Sequence, residues 1–189
     1  MHKQHAANTP FLAAMQHYLA ENVAPFHTPG HKLGVGVHES LRQQIGPAAF
    51  SLDLTCVPGL GDLFDKQGPI QDSQKQAAAL YGADASYYLV NGTTGGIYAM
   101  LLTTVGPGEK IILPRNVHRS VIGGLILSGA IPVFVSPALD SRLQIAMNVP
   151  ASSYAEAMRL HPGAQAVLLS NTTYYGVVAD IAAFPAHAH

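Results

Sequence analysis

A short run of glycines and threonines, residues 91–96 (NGTTGG), has the residue types of an anion-binding turn. It follows an apolar segment typical of a strand and precedes an apolar segment typical of a helix. Glycine permits a tight turn there, the first N–H groups of the helix lack intrahelical partners, and the helix dipole attracts negative charge. The hydroxyls of Thr93 and Thr94 add two donors. Walker A and Gly-x-Gly-x-x-Gly spacings are absent, so the run suits a monophosphate better than a pyrophosphate; an ordinary helix cap is the alternative.

Two further polar turns, residues 114–120 (PRNVHRS) and 171–176 (NTTYYG), follow later strand-like segments. In an open parallel sheet the carboxyl ends of the strands lie at one edge. We therefore expect His118 to face whatever anion Thr93 and Thr94 hold, although a histidine at a helix start can also serve only as a cap. Together the three turns predict a ligand crevice along one edge of the sheet.

The remaining motifs do not indicate a metal site or a serine nucleophile. His27 and His31 are four residues apart, a spacing that aligns two imidazoles on a helix, but the Pro-Gly step between them prevents a helix. No HExxH motif occurs, and neither the single cysteine nor the C-terminal histidines have suitable partners. A Gly-x-Ser-x-Gly elbow is also absent. We expect no metal.

From about residue 70 the chain alternates between helix-like and strand-like segments. Helices are predicted at residues 70–81, 93–104, 117–128 and 152–160, and strands at residues 86–90, 110–113, 132–136 and 166–170. Gly82 is expected to end the first of these helices. The strands are short and apolar, as in a sheet that is covered on both faces. Alternation at this spacing predicts an α/β fold with a mostly parallel sheet, right-handed crossovers and flanking helices.

Residues 1–69 form an irregular arm in which proline and glycine recur at short intervals. One helix begins the arm, with Thr9 as its N-cap and Pro10 at its first position. Such a loop-rich segment has little core of its own and is expected to cover another surface. We therefore divide the chain into an arm, residues 1–69, and an α/β domain, residues 70–189.

The composition is that of a globular protein with few surface charges. Hydrophobic residues make up 48% and charged residues only 11%, with a formal net charge of -1, whereas about 25% charged is usual. So few charges suggest surface buried against a partner subunit or against a missing part of the chain, and we expect a homo-oligomer. The chain has no basic stripe, so we expect no nucleic-acid partner. The uncharged run at residues 120–139 is interrupted by glycine and proline, so we expect no membrane span there. The single Cys56 and the absence of a signal-peptide pattern predict a cytoplasmic location.

Five motifs, in their order and spacing, resemble the major domain of the Orn/Lys/Arg decarboxylase family: PFHTPGHK, DLTCVPGLGDLFDKQGPI, VNGTTGGIYAML, PRNVHRSV and NTTYYGVVADI. The resemblance covers about residues 10–189. It implies the type I fold of pyridoxal 5′-phosphate (PLP) enzymes, which is similar to aspartate aminotransferase, with PLP as cofactor. It also implies a basic amino acid as substrate, with arginine as the first choice before lysine or ornithine, and a polyamine precursor as product. An aminotransferase of the same fold and a non-catalytic fragment are the alternatives.

The resemblance also assigns roles to individual residues. Thr93, Thr94 and the backbone of Gly95 are expected to hold the PLP phosphate. His118 is expected to stack on the pyridine ring. Thr173 is expected to line the cofactor pocket with the next residues of its turn.

Three positions depart from the family pattern. Thr172 stands where the family usually has proline or serine, Gly61 where it has aspartate, and Cys56 where an acidic residue is common. The changes in the arm, at Gly61 and Cys56, bear on the expected substrate contacts more than on cofactor binding.

The family's Asp-Glu-Ala-His run and its Schiff-base lysine, which follows a histidine, lie downstream of the helix predicted to begin near Asp180. The lysines of this chain, none of which matches, are Lys3, Lys32, Lys66, Lys75 and Lys110. We therefore expect the α/β domain to be truncated at its C-terminus, with no catalytic residue in this chain and no activity of the chain alone.

Overall fold

Helices and loops build the described residues up to Tyr88, whereas a parallel sheet organises the residues from Leu89 onward. These two units have separate networks of contacts in the computed structural model, which describes residues 9–181 and Phe184. They are called the first unit and the second unit below. The division expected from the sequence, between an arm ending at residue 69 and an α/β domain, stays a prediction. Within the described ranges, no helix is both long and apolar enough to cross a membrane.

The described part of the first unit, from Thr9 to Tyr88, contains four helices: α1 (Pro10–Ala20), α2 (Glu39–Ile45), α3 (Pro47–Ser51) and α4 (Pro69–Tyr81). Proline occupies the first turn of α1, α3 and α4, where its missing N–H costs no hydrogen bond. The two longer helices are those the sequence predicted. α1 begins after Thr9, and α4 ends at Gly82, whose φ of 64° is the left-handed conformation that closes many helices. α2 and α3 were not predicted, because helices of five to seven residues are too short to show a helical period.

The second unit is an α/β structure. Its strands are β1 (Lys110–Pro114), β2 (Ile131–Val135), β3 (Leu139–Asp140), β4 (Ile145–Ala146) and β5 (Ala164–Val167), and its helices are α5 (Gly92–Thr104), α6 (Arg119–Ser128) and α7 (Ala151–Leu160). β1 lies between β2 and β5 and is parallel to both. β3 and β4 form a short antiparallel hairpin that the sequence did not predict. The predicted parallel sheet with flanking helices is confirmed.

Strand β1 is the centre of the second unit because both of its faces are covered. Ile111 and Leu113 pack into one cluster with residues of α5 and α6, and Ile112, on the opposite face, packs with residues of α7. All three side chains are at most 2% exposed. This two-sided burial explains why the strand is apolar at successive positions rather than at alternate ones.

One predicted strand, at residues 86–90, is wrong: the segment has no strand assignment. Tyr87 and Val90 are both 77% exposed. β-branched and aromatic residues favour an extended chain, but a strand forms only where a neighbour accepts its backbone hydrogen bonds. No described strand pairs with this segment. The element predicted to begin near Asp180 lies mostly outside the described residues.

Two adjacent glycines bring α6 close to α5. A Cβ atom on Gly124 would overlap Cδ1 of the buried Leu101, and one on Gly123 would lie 2.5 Å from the Tyr98 hydroxyl oxygen. A larger residue at either position would therefore force the Tyr98 or Leu101 side chain to move. The close packing sets the first turns of the two helices beside each other, and those turns carry the predicted anion-binding residues.

Candidate functional site

The first turn of α5 is open to a ligand. Asn91 precedes the helix, and its side chain makes no capping hydrogen bond to any described residue. Gly92 has a φ of 69°, which turns the chain sharply into the helix. Thr93 and Thr94 are exposed, and Gly95 is half-buried. The free N–H groups of this turn, the two hydroxyls and the positive end of the helix dipole could together bind an anionic group.

His118 is the N-cap of α6, and its ring has a defined hydrogen-bond arrangement. The backbone N–H of Ser120 donates to its Nδ1 over 3.2 Å. A nitrogen that accepts a hydrogen bond carries no proton, so the Ser120 hydroxyl, 2.7 Å from the same Nδ1, is also the donor. In this arrangement the ring proton lies on Nε2, and the residue is exposed.

The structure brings Thr94 and His118 together. Both line an open depression of about 440 Å³ between the first turns of the two helices. This α5–α6 depression is lined by Thr94, Tyr98, His118, Arg119, Ser120, Ile122, Gly123 and Ile126. Thr93 and Gly95 belong to the same turn of α5 as Thr94.

Thr173 lies elsewhere. It lines a smaller cavity with Asn116, Asn148 and Tyr154, on the side of the sheet that α7 covers. Its side chain is 8% exposed, its N–H donates to the Val177 carbonyl over 3.0 Å, and its Oγ1 accepts from the Val177 N–H over 3.2 Å.

The Asn148 amide also donates to the Val177 carbonyl, over 3.2 Å. Through these hydrogen bonds the buried Thr173 holds the conformation of the turn that follows β5. The next residue of that turn, Tyr174, is 95% exposed.

Sequence reasoning missed Ser120 and Tyr98. Ser120 is 4% exposed and holds the His118 ring, while the Tyr98 hydroxyl lies against Gly123 in the α5–α6 depression. The His-x-Ser spacing at a predicted helix start was the available signal for Ser120, because a side chain at the N-cap faces the N–H group two residues later. No signal in the sequence pointed to Tyr98.

Tyr154 is a buried polar group that the sequence did not single out. Its side chain is 2% exposed, packed edge-on against Phe184, and its hydroxyl donates to the Leu168 carbonyl over 3.4 Å. Burial raises the pKa of Tyr154 to about 12, because the phenolate would lose its hydration.

Two histidines of the arm, His27 and His31, form hydrogen bonds with the protein's own backbone and side chains. Tyr18 donates its hydroxyl hydrogen to Nε2 of His27 over 2.7 Å, and the His27 Nδ1–H donates to the Thr28 carbonyl. His31 accepts from the Gly34 N–H at Nδ1.

The Nε2–H of His31 donates to Asp53 over 3.1 Å. Among the described residues, no group of three or more histidine, cysteine, aspartate or glutamate side chains could hold a metal ion.

Comparison with known proteins identifies relatives over almost the whole chain. A sequence profile of the Orn/Lys/Arg decarboxylase major domain matches residues 9–189. An arginine decarboxylase of Bacillus subtilis is 39% identical over 181 residues, which are 96% of this chain and 37% of that protein. A lysine decarboxylase of Pseudomonas aeruginosa is 29% identical over 187 residues, 89% of this chain and 25% of that protein.

A solved structure of lysine decarboxylase A from Pseudomonas aeruginosa superposes with a TM-score of 0.72 at 30% identity, covering 87% of this chain and 24% of that one. The chain thus spans 24% to 37% of the length of these relatives.

Proposed function

The chain belongs to the Orn/Lys/Arg decarboxylase family, and from that membership we propose that it forms part of a PLP-dependent decarboxylase of a basic amino acid. Arginine is the first choice of substrate. The similarity favours it, because arginine decarboxylases of Bacillus subtilis and Bacillus cereus are each 39% identical, against 29% for the lysine decarboxylase.

One observation carries the cofactor proposal: Thr94 and His118 line the same depression, at the start of two helices. A phosphate fits the first turn of α5, where N–H groups, two hydroxyls and the helix dipole converge. A flat aromatic ring fits beside the exposed imidazole of His118. When bound, PLP supplies an electron sink for the electron pair that remains on the substrate after CO₂ departs.

The residues of this chain have distinct roles in the proposal. Thr93, Thr94 and the Gly95 N–H bind the phosphate, and His118 stacks on the ring. Thr173 has an indirect role: its buried hydroxyl accepts a hydrogen bond within the turn and so holds the segment that carries Tyr174.

The covalent lysine is proposed to come from sequence that this chain does not contain, so the chain alone is proposed to be inactive. Incubation of the 189-residue chain with PLP, followed by borohydride reduction and peptide mapping, should show no stoichiometric label on a single lysine. Specific labelling of Lys32 or Lys110 would contradict this part of the proposal.

Phosphate binding can be tested separately. The double variant Thr93→Ala/Thr94→Ala should raise the Kd for PLP by at least about tenfold, because a hydrogen bond to a charged group contributes about 1.5–3 kcal/mol. Thr103→Ala is the matched control, since Thr103 is an exposed threonine of the same helix whose hydroxyl bonds only to the helix backbone. An unchanged Kd in the double variant would exclude the α5 turn as the phosphate site.

Substrate choice requires a protein of the relatives' length that carries this chain. Release of CO₂ should be fastest with arginine and should yield agmatine. Preference for lysine or ornithine would correct the substrate, and transamination without CO₂ release would replace the decarboxylase proposal.

A further inference from the structure

The contact between Ser120 and His118 determines which face and which nitrogen the imidazole offers to the α5–α6 depression. Two donors of Ser120, its N–H and its hydroxyl, converge on Nδ1. Nδ1 has a single lone pair and is fully engaged, so the ring proton resides on Nε2. A ring rotated by half a turn would lose both bonds.

We propose that Ser120 is a positioning residue, which holds His118 as the neutral Nε2–H tautomer with its ring fixed at the edge of the α5–α6 depression. The role of that ring toward PLP rests on the proposed function above. The contact with Ser120 is independent of it.

Burial supports a directed role for the serine hydroxyl. Ser120 is 4% exposed, and its side chain lines the depression beside the ring that it holds. Because so little of Ser120 is exposed, water competes weakly with Nδ1 for its hydroxyl, and loss of the hydroxyl should be felt at Nδ1. His118 itself is exposed and therefore accessible to a ligand.

The chain contains a second His-x-Ser cap that separates this role from ordinary capping. His38 precedes α2, and its Nδ1 lies 2.8 Å from the Ser40 hydroxyl and 3.3 Å from the Ser40 backbone nitrogen. Ser40 is exposed, however, and water can replace its hydroxyl. The two pairs share their geometry and differ in burial, so the hydroxyl should matter more for His118.

The experiment is long-range ¹H–¹⁵N NMR of the labelled chain, which distinguishes the two neutral tautomers of each histidine by nitrogen shift. Ser120→Ala should lower the ratio of Nε2–H to Nδ1–H tautomer at His118 by about three- to tenfold, the equivalent of one hydrogen bond. Ser120→Thr, which keeps a hydroxyl, should restore it.

Ser128→Ala is the structural control, because Ser128 is another serine of α6 with 4% exposure, and its hydroxyl does not contact a histidine. Ser40→Ala should leave the tautomer ratio of His118 unchanged. It should change the ratio of His38 less than Ser120→Ala changes that of His118. An unchanged His118 ratio in Ser120→Ala, or an equal change in Ser128→Ala, would overturn the proposal.

Carbethoxylation followed by mass spectrometry gives a second readout at low protein concentration. The reagent attacks an unprotonated imidazole nitrogen, which in His118 is the occupied Nδ1, so Ser120→Ala should accelerate modification of His118 and Ser128→Ala should not. Equal rates in all three proteins would contradict the proposal. Neither measurement contains PLP, so a failure here is distinguishable from a failure of the PLP-binding experiment.

Discussion

The two units of this chain are stabilised in different ways. In the second unit the central strand β1 is buried on both faces. On each face a hydrophobic cluster joins side chains of the strand to side chains of the flanking helices. Among the described residues of the first unit, the buried apolar side chains are few: Tyr18, Leu60, Ile70 and Ala78.

Backbone groups of the first unit instead form hydrogen bonds with the rings of His27, His31 and His38. A buried leucine contributes several times as much free energy as one such hydrogen bond. The stability of the first unit therefore depends on many small contributions to the free energy of unfolding, and that of the second unit on a few large ones.

The largest expected effect comes from removing a core side chain. Leu113→Ala should lower the free energy of unfolding by about 2–5 kcal/mol, because it leaves a cavity in a strand covered on both sides. Leu60→Ala, at a similarly buried position of the first unit, should cost less, because Leu60 belongs to neither hydrophobic cluster. Hydrogen exchange resolved by residue measures both; a larger loss for Leu60→Ala would reverse the comparison between the units.

A methyl group at the contact of α5 with α6 should have the next largest effect. Gly124→Ala drives a Cβ atom into the buried Leu101 and should destabilise the second unit by about 1–3 kcal/mol. Gly163→Ala is the control, since no described atom lies within 4 Å of its added Cβ. Denaturant melts of the two variants are expected to differ; if they coincide, the close approach of the helices does not limit stability.

Alkaline pH should weaken the second unit through Tyr154. The pKa of its hydroxyl is about 12 in the folded state against 10.0 for a free tyrosine. Below about pH 10 both states keep the proton and the stabilisation is complete; above it the unfolded chain loses the proton first, so stability falls as pH rises from about 10 to 12.

Tyr154→Phe removes the titrating group and should flatten this part of the stability curve. Tyr174→Phe, at a position that is 95% exposed, should leave the slope unchanged. Stability measured by denaturant titration at several alkaline pH values decides the point, and parallel curves for wild type and Tyr154→Phe would refute it.

The smallest effect is expected in the arm. Asp53→Ala removes the acceptor of the His31 Nε2–H, but the carboxylate is exposed, so the cost should stay below about 1 kcal/mol. The exchange of the Gly34 amide, which donates to the same ring, should accelerate by less than about fivefold. Asp72→Ala, which removes an exposed partner of Lys75 on α4, should leave that exchange unchanged. A tenfold or greater acceleration in Asp53→Ala would show that single polar contacts dominate the first unit.

Much of the second unit could be predicted because its signals are local. Apolar segments of strand length and helix length alternate along the chain, and glycine or proline punctuates them. Thr94 and His118 were predicted to meet at one edge of a parallel sheet, and they line one depression. Only His118 follows a strand, β1, because the segment before Thr94 is not one; the packing of α5 against α6 brings the two residues together. In the first unit only the two longer helices carried such signals.

Other features depended on partners that sequence patterns do not specify. Residues 86–90 have strand-forming side chains but no described neighbour to pair with. Thr173 follows its strand as predicted, yet its turn folds inward and places it in a separate cavity. The sequence by itself determined the alternation of elements and the polar turns that end them, since these follow from backbone preference and hydrophobic period. Only the tertiary structure decided that Gly124 brings α6 against Leu101 and that Ser120 is buried beside His118, because both depend on contacts between side chains and the space available to them.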